Sequence, residues 1–108
     1  MSKYNNKRII YQDLKFDSIR EKNRYIHLKE LEDKGEIKNL ELQKKYELQE
    51  SFKLNGKTIR AINYICDFYY IDQNGVEHIE DSKGMRTDVY KLKKKLFEYK
   101  YQKNIDEV

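Results

Sequence analysis

Between Leu40 and Leu54 apolar and polar residues alternate with a period of two, and no other feature limits the fold of this chain as strongly. A period of two predicts an amphipathic strand, or a strand with a break, that is wetted on one face. Asn55-Gly56 then supplies the positive φ angles of a type I′ turn, and the alternation resumes at Thr58, so the segment predicts a β-hairpin. The apolar residues on even positions are Leu40, Leu42, Tyr46, Leu48, Phe52 and Leu54.

The segment that follows, Ile59 to Ile71, is apolar on both of its faces. A strand covered on both sides is expected in the centre of its sheet. Asp72-Gln73-Asn74-Gly75 fits a type I turn in a three-residue hairpin loop, and the next strand is predicted from Val76 to Lys83. These segments together predict a three-strand antiparallel meander.

Two helices are expected on either side of the meander. Ser18 and Glu21 have the spacing of a capping box, and Gly35 suits a left-handed position after the last turn, which predicts a helix over Ser18 to Lys34. Thr87 opens a second helix, whose basic residues are expected to lie on the face opposite its apolar stripe. The predicted buried stripes are Tyr25, Leu28 and Leu31 in the first helix, and Val89, Leu92, Leu96 and Tyr99 in the second.

The chain of 108 residues predicts one domain, residues 1–108, in which residues 1–12 are a candidate flexible N-terminal arm. Asn104 to Val108 is expected to add one edge strand. The first eight residues lack the apolar core of a secretory signal, and no apolar run approaches the roughly 18 residues of a membrane span. A single cysteine agrees with a reducing compartment, so a cytoplasmic protein is expected, with no membrane partner.

Charge is concentrated near the end of the chain. The net charge is +4, but between Lys83 and Lys103 eight basic residues stand against only Asp88 and Glu98. Neutralising phosphates with Lys and Arg releases counterions, so such a segment predicts contact with nucleic acid or with an acidic surface. A solvated helix face is the alternative at this point.

One carboxylate is out of place, because Asp67 lies within the strand that has two apolar faces. With a three-residue loop after Asp72, Asp67 lies directly across from Asp81, and Lys83 is two residues further on the same face. A two-residue loop would put the two aspartates on opposite faces. Facing carboxylates need a positive partner, which is either a divalent cation or Lys83 in a charge network without chemistry. Glu21 is a third candidate carboxylate, although its capping role explains it equally well.

Other enzyme classes are disfavoured. His27 and His78 lack partners at ligand spacing, which argues against a histidine metal site or a Ser-His-Asp triad. Cys66 is predicted to be a small buried residue and not a nucleophile. The chain contains neither of the glycine-rich motifs that cradle nucleotide phosphates.

The order reached so far resembles the PD-(D/E)XK, or restriction-endonuclease-like, nuclease superfamily. More narrowly, it is similar to a phage-encoded family of uncharacterised proteins grouped with such nucleases. Five segments carry the resemblance, namely FDSIREKNRY, LELQKKYELQESF, YICDF, IEDSKG and YKLKKKLFEYKY. The resemblance implies an α/β (α+β) fold with a central mixed sheet flanked by helices and an α-β-β-β-α-β core. Cys66 stands where the name motif has Pro, and Asp81 where Glu is also allowed.

The resemblance also implies roles for individual residues. Asp67, Asp81 and Glu21 would bind Mg²⁺ or Mn²⁺ together with the Ser82 carbonyl, and Lys83 would orient the attacking water or stabilise charge on the phosphate. The chain would then be a metal-dependent DNA endonuclease, selective for branched or recombining phage DNA and similar to a Holliday-junction resolvase, acting as a dimer. The residues expected to follow the DNA backbone are Arg86, Lys91, Lys93, Lys94 and Lys95.

Two alternatives remain open from the sequence. The chain could be a non-catalytic nucleic-acid-binding module that uses only its basic C-terminal helix, with binding that is independent of metal and steeply dependent on salt. It could also be a small interaction protein whose cationic helix binds an acidic protein. Loss of cleavage after removal of Asp67 would support the nuclease, whereas unchanged behaviour after removal of Lys83 would support the binding module. The absence of any DNA affinity at low salt would support the interaction protein.

Overall fold

A computed structural model of the chain describes residues 9–82 and 86–108, and in them it is a mixed α+β protein, as predicted. Within these residues, no helix is both long enough and apolar enough to cross a membrane. The elements, in chain order, are β1 (Ile9–Tyr11), β2 (Leu14–Phe16), α1 (Ile19–Asp33), β3 (Ile37–Leu42), β4 (Lys45–Gln49), β5 (Phe52–Leu54), β6 (Lys57–Ile59), β7 (Ile62–Ile65), β8 (Phe68–Asp72), β9 (Glu77–Asp81), α2 (Asp88–Tyr101) and β10 (Asp106–Glu107).

The main sheet has four strands in the order β10-β9-β8-β3. β8 is antiparallel to both of its neighbours, whereas β10 is parallel to β9 and follows it through the crossover helix α2. The first helix precedes β3, so the helices and the strands of this sheet follow one another as α1, β3, β8, β9, α2 and β10. Three further strand pairs, β1 with β2, β4 with β7 and β5 with β6, lie outside this sheet.

The register between β8 and β9 follows the predicted three-residue loop. Phe68 pairs with Glu80 and Tyr70 with His78, and the N–H of Asp72 donates to the Val76 carbonyl over 2.9 Å. Gly75 has φ +78°, the left-handed conformation that this loop requires. The ladder ends at Phe68 and Glu80. Asp67 lies in the bend before β8 and its N–H donates to the Glu80 carbonyl, so the predicted pair of Asp67 and Asp81 is not part of this ladder.

The long strands predicted on either side of Asn55-Gly56 are each divided into three. Positive φ angles at Asn39 and Gln43 and a bulge after Lys38 redirect the first segment, which becomes β3, β4 and β5. The second segment becomes β6, β7 and β8, and only β8 is central, so the prediction of one continuous central strand was wrong. The Asn55-Gly56 hairpin itself is confirmed, with Leu54 paired to Lys57 and φ angles of +51° and +75° in the turn.

The first helix agrees with its prediction. Ser18 is the N-cap, its Oγ accepts from the N–H of Glu21 over 3.1 Å, and Gly35 has φ +78° just after the C-cap. Tyr25 and Leu28 are buried against β2, β3 and β8, and Leu31 packs beside them. The apolar spacing and both caps therefore determined this helix locally.

The second helix begins at the predicted N-cap, Thr87, but it presents a different face to the protein. Its buried residues are Tyr90 and Phe97, whose rings meet Tyr64 of β7, and Phe97 also meets Tyr46 of β4. The predicted buried stripe was wrong, because the aromatic rings of the β4–β7 strand pair pack against the side of the helix that carries Tyr90 and Phe97. The residues of that stripe are exposed: Val89 63%, Leu92 58%, Leu96 38% and Tyr99 80%.

Two hydrophobic clusters cover the two faces of β8. Phe68 and Tyr70 belong to the cluster under α1, whereas Tyr69 belongs to the cluster under α2. This alternation gives β8 the two apolar faces that the sequence predicted. The buried members are Phe16, Tyr25, Leu28, Ile37, Phe68 and Tyr70 under α1, and Tyr46, Tyr64, Cys66, Tyr69, Ile79, Tyr90, Phe97 and Ile105 under α2.

Candidate functional site

Asp67 occupies the bend immediately before β8, where the chain passes from β7 into the main sheet. Its N–H donates to the carbonyl of Glu80 over 3.0 Å, a bond that departs from the regular alternation of the β8–β9 ladder. Its carboxylate Oδ2 accepts the N–H of Ser82 over 2.7 Å. The side chain is half-buried, so it is held against the end of β9 while it keeps access to solvent.

Gln43 joins Asp67 to the first helix. Its side-chain Nε2 lies 3.4 Å from Oε2 of Glu21 and 3.4 Å from Oδ1 of Asp67, and its own N–H donates to the Asp67 carbonyl over 3.1 Å. The left-handed backbone at Gln43, φ +55°, ends β3 at this point. Sequence reasoning missed this residue, because in the alternating pattern Gln43 is one more polar residue on the wetted face.

Glu21 has the capping role that the sequence predicted, and its side chain also faces Gln43. Its N–H is capped by Ser18, and its carboxylate Oε1 accepts the N–H of Asp17 over 3.0 Å. The second carboxylate oxygen faces Gln43. Glu21 is therefore both part of the helix cap and part of the carboxylate pair that Gln43 bridges.

A cavity of about 320 Å³ opens beside Glu21 and Gln43. Lys15 of β2 lies on its wall and brings a cation to the carboxylate side of the molecule. Sequence reasoning did not single out Lys15, because it is remote along the chain from the basic C-terminal segment. The lining residues are Lys15, Phe16, Asp17, Glu21, Leu42 and Gln43.

Asp81 lies on the other side of the sheet end. It is 1% exposed, and its Oδ2 accepts the hydroxyl of Tyr64 over 2.6 Å. Burial and this bond to the carboxylate raise the pKa of the Tyr64 hydroxyl, so it remains a donor. Asp81 lines a second cavity, of about 280 Å³, together with Tyr64 and Lys93. The described residues thus place Glu21 and Asp81 on different cavities, with Asp67 in contact with Gln43 on one side and with Ser82 on the other.

Glu80 has its own partners on the α1 face. Arg24 binds it through two bonds, Nε to Oε1 over 2.8 Å and Nη2 to Oε2 over 2.6 Å, and the Tyr70 hydroxyl donates over 2.5 Å. Glu80 is 2% exposed. The bond to Glu80 raises the pKa of the Arg24 guanidinium, so Arg24 stays charged and compensates the charge of this buried carboxylate.

Lys83 lies outside the described residues, and so does its predicted place beside Asp67 and Asp81. In residues 9–82 and 86–108, no group of three or more His, Cys, Asp or Glu side chains is arranged to hold a metal ion. Mg²⁺ commonly uses one or two carboxylates and completes its shell with water and phosphate oxygens. The carboxylate oxygens of Glu21 and Asp67 fit that preference, whereas Gln43 presents its amide nitrogen to them and Ser82 donates its N–H to Asp67.

Most of the predicted DNA-binding cations share one shallow cavity, of about 190 Å³, along α2. Arg86 pairs there with Glu107, and Lys94 binds Glu98 over 2.7 Å, so two of the cations are neutralised in part. Lys93 lines the cavity of Asp81 and lies apart from the other four. The lining residues of the α2 cavity are Arg86, Tyr90, Lys91, Lys94, Lys95, Glu98 and Glu107.

Cys66 is fully buried, as predicted. Burial raises the pKa of its thiol to about 12, so the thiolate is scarce at neutral pH. The residue therefore packs as a small apolar side chain between Asp67 and β7.

Comparison with known proteins gives one family. The model of a family described as "Protein of unknown function (DUF1064)" matches residues 1–107. Neither the curated proteins nor the solved structures contain a match to the chain.

Proposed function

We propose that this chain, which belongs to the DUF1064 family of proteins of unknown function, is a metal-dependent DNA endonuclease. The observation that carries the proposal is the contact of Asp67 with both Gln43 and Ser82, because it links the helical acid Glu21 to the segment that leads into Lys83. This order of residues is the one that the resemblance to PD-(D/E)XK nucleases requires.

The proposed chemistry is hydrolysis of a phosphodiester bond. Mg²⁺ or Mn²⁺, when bound, would supply an activated water and relieve negative charge on the phosphate. Glu21 and Asp67 would hold the ion, with the Ser82 carbonyl as a further oxygen donor, and the Gln43 amide would hold the two carboxylates in place. The resemblance also assigns the Asp81 carboxylate to the ion, although Asp81 lines a different cavity from Glu21. Lys83 would orient the water or stabilise charge on the phosphate.

The protein residues also explain how this site would be kept in shape. Gln43 holds two carboxylates near each other, which would repel without a donor between them. The N–H of Ser82 fixes one oxygen of Asp67, and Tyr64 fixes one oxygen of Asp81. The site residues are thus oriented by the fold before substrate binds.

DNA is the proposed partner. Arg86, Lys91, Lys94 and Lys95 line one groove of α2, and their cations are suited to a phosphate backbone. Lys93, on the neighbouring cavity, would extend this surface toward Asp81. By analogy with phage resolvases, we propose branched or recombining phage DNA as the substrate, a homodimer as the active form, and the cytoplasm of the bacterial host as the location.

The second candidate function is a DNA-binding module without catalysis, and the shared groove of the α2 cations supports it as well. The two functions differ in their need for the carboxylates. A nuclease loses cleavage when Asp67 is removed, whereas a binding module has no cleavage to lose and binds DNA without metal.

The experiment is cleavage of a labelled panel, namely a four-way junction, a flap, a duplex and a single strand, with Mg²⁺, Mn²⁺ or EDTA. Wild type is compared with Asp67→Ala, Lys83→Ala and the control Asp33→Ala, which removes an exposed carboxylate at the end of α1. Metal-dependent cutting by wild type and by the control alone supports the nuclease. Binding without cutting by wild type in either metal overturns it and favours the binding module.

A further inference from the structure

The β5–β6 hairpin extends from the body of the protein as an arm. Every residue from 51 to 60 is exposed, and the two strands pair only with each other. The radius of gyration, 16.2 Å, exceeds the roughly 13 Å of a compact chain of this length. We use the term hairpin arm for residues 51–60.

The hairpin arm is exposed and yet partly apolar. Phe52 and Leu54 lie on one face with Ile59, and they are 43%, 57% and 37% exposed. A two-stranded hairpin alone is marginally stable in water, and an uncovered apolar face adds to its cost. An occupant that covers this face would therefore stabilise the hairpin arm.

Charge decides which occupant fits. The hairpin arm contains Lys53, Lys57 and Arg60 and no acidic residue. Because directly paired residues share a face, Lys57 lies on the face of its partner Leu54, whereas Lys53 lies on the opposite face with Thr58. Three cations without an acidic residue suit an occupant with negative charge, and a DNA groove has phosphates on both sides of an inserted ribbon.

The base of the hairpin arm is rigid. The carbonyl of Glu47 accepts Nζ of Lys100 over 2.9 Å and the hydroxyl of Tyr101 over 2.7 Å, and the Tyr46 ring packs against Phe97 at 4.9 Å between centroids. On the returning strand, the Tyr64 hydroxyl binds Asp81. The strand pair that carries the hairpin arm is thus attached both to α2 and to the candidate site.

We propose that the hairpin arm inserts into a groove of duplex DNA beside the candidate site at Asp67. A two-stranded ribbon fits the major groove, where Phe52 and Leu54 can contact base edges and thymine methyl groups. From Gly56 to Asp67 the chain spans at most about 40 Å when fully extended, which is close to one turn of B-DNA. The inserted arm therefore contacts DNA within about one helical turn of the site. This inference rests on the proposed function, because it assumes a DNA substrate.

The test is duplex binding in EDTA over a series of salt concentrations, with hydroxyl-radical footprinting of the complex. Lys53→Gln/Lys57→Gln removes two cations of the hairpin arm, Lys53→Arg/Lys57→Arg keeps the charge, and Lys34→Gln/Lys38→Gln removes two exposed lysines elsewhere. We expect the first variant to raise the Kd about tenfold or more, to lower the salt slope by about two, and to lose protection on one side of the site. The other two variants should bind as wild type does.

Each other outcome has a separate meaning. If wild type binds duplex DNA and Lys53→Gln/Lys57→Gln keeps its Kd and footprint, the hairpin arm is not a DNA contact, and the proposed function is unaffected. If wild type binds no DNA of the panel, the proposed function and this inference both fail. If the variant changes only the sedimentation coefficient, from dimer to monomer, the occupant is a second copy of the chain and the inference is overturned.

Discussion

The backbone N–H of Ser82 donates a 2.7 Å hydrogen bond to Oδ2 of Asp67. This bond joins the residue before β8 to the residue after β9, and it holds the carboxylate at the end of the sheet. Because the bond gives Asp67 a role in the fold, that role and its proposed role in chemistry must be measured separately.

Two substitutions at Asp67 separate these roles. Asp67→Asn keeps a carbonyl oxygen for Ser82, and its free energy of unfolding should change by less than about 1 kcal/mol, whereas Asp67→Ala leaves that N–H without its acceptor and should cost about 1–3 kcal/mol. Both variants should lose metal-dependent cleavage, because neither has the carboxylate. Urea unfolding and the cleavage panel measure the two effects. Cleavage by Asp67→Asn at the wild-type rate would contradict the role of Asp67 in chemistry.

Gln43→Glu tests the cation site without activity. The substitution replaces an amide donor between Glu21 and Asp67 with a third carboxylate, so repulsion should lower Tm in EDTA. A divalent cation that binds there should restore part of the loss, and the rise in Tm with Mn²⁺ should exceed that of wild type. Gln49→Glu, a change of the same charge on β4, is the control. An equal effect of Mn²⁺ on both variants would argue against a cation at Gln43.

Arg24→Met should be strongly destabilising. It leaves the buried Glu80 carboxylate without its two-bond partner, and we expect a loss of about 3 kcal/mol in the free energy of unfolding. The double variant Arg24→Met/Glu80→Met removes the charge as well and should recover part of that loss. Urea unfolding of the two single variants and the double variant forms the cycle. Full additivity of the two substitutions would show that the pair is not coupled.

The face of α2 is tested by two truncations on one helix. Phe97 is 0% exposed, so Phe97→Ala should cost about 3–5 kcal/mol through lost burial and a cavity. Leu92 is 58% exposed, and Leu92→Ala should change stability by less than about 0.5 kcal/mol. Chemical unfolding of both variants gives the comparison. A larger loss of stability in Leu92→Ala than in Phe97→Ala would show that α2 buries the face that the apolar spacing predicted.

His78 should make stability depend on pH. Its hydrogen bond to Asp72 raises the pKa of the ring above the ordinary value of 6.5, and Asp106 acts in the same direction. A raised pKa means that the stabilising contribution is fully present below about pH 6.5 and is lost as the pH rises through the folded-state value. The difference in urea midpoint between wild type and His78→Gln should therefore shrink from pH 6 to pH 9. A difference that grows with pH would contradict the direction of the shift.

Local signals in the sequence predicted several elements correctly. The caps and apolar spacing of α1 are properties of one segment, and Ser18 and Gly35 mark its ends. The turn at Asp72 to Gly75 determined the β8–β9 register through backbone angles that few residues adopt, although that register ends at Phe68 and Glu80 and does not extend to Asp67 and Asp81. Each of these features depends on a few neighbouring residues, so the sequence by itself determined them.

Other features were decided only by the tertiary structure. Which face of α2 is buried depends on Tyr46 and Tyr64, which lie on strands far away in sequence and provide the aromatic surface that Phe97 packs against. Gln43 is indistinguishable from its polar neighbours until a left-handed backbone at the end of β3 places its amide between two carboxylates. In both cases the deciding contacts join segments that are remote along the chain, and burial energy, which depends on all the partners that meet, outweighs the local pattern.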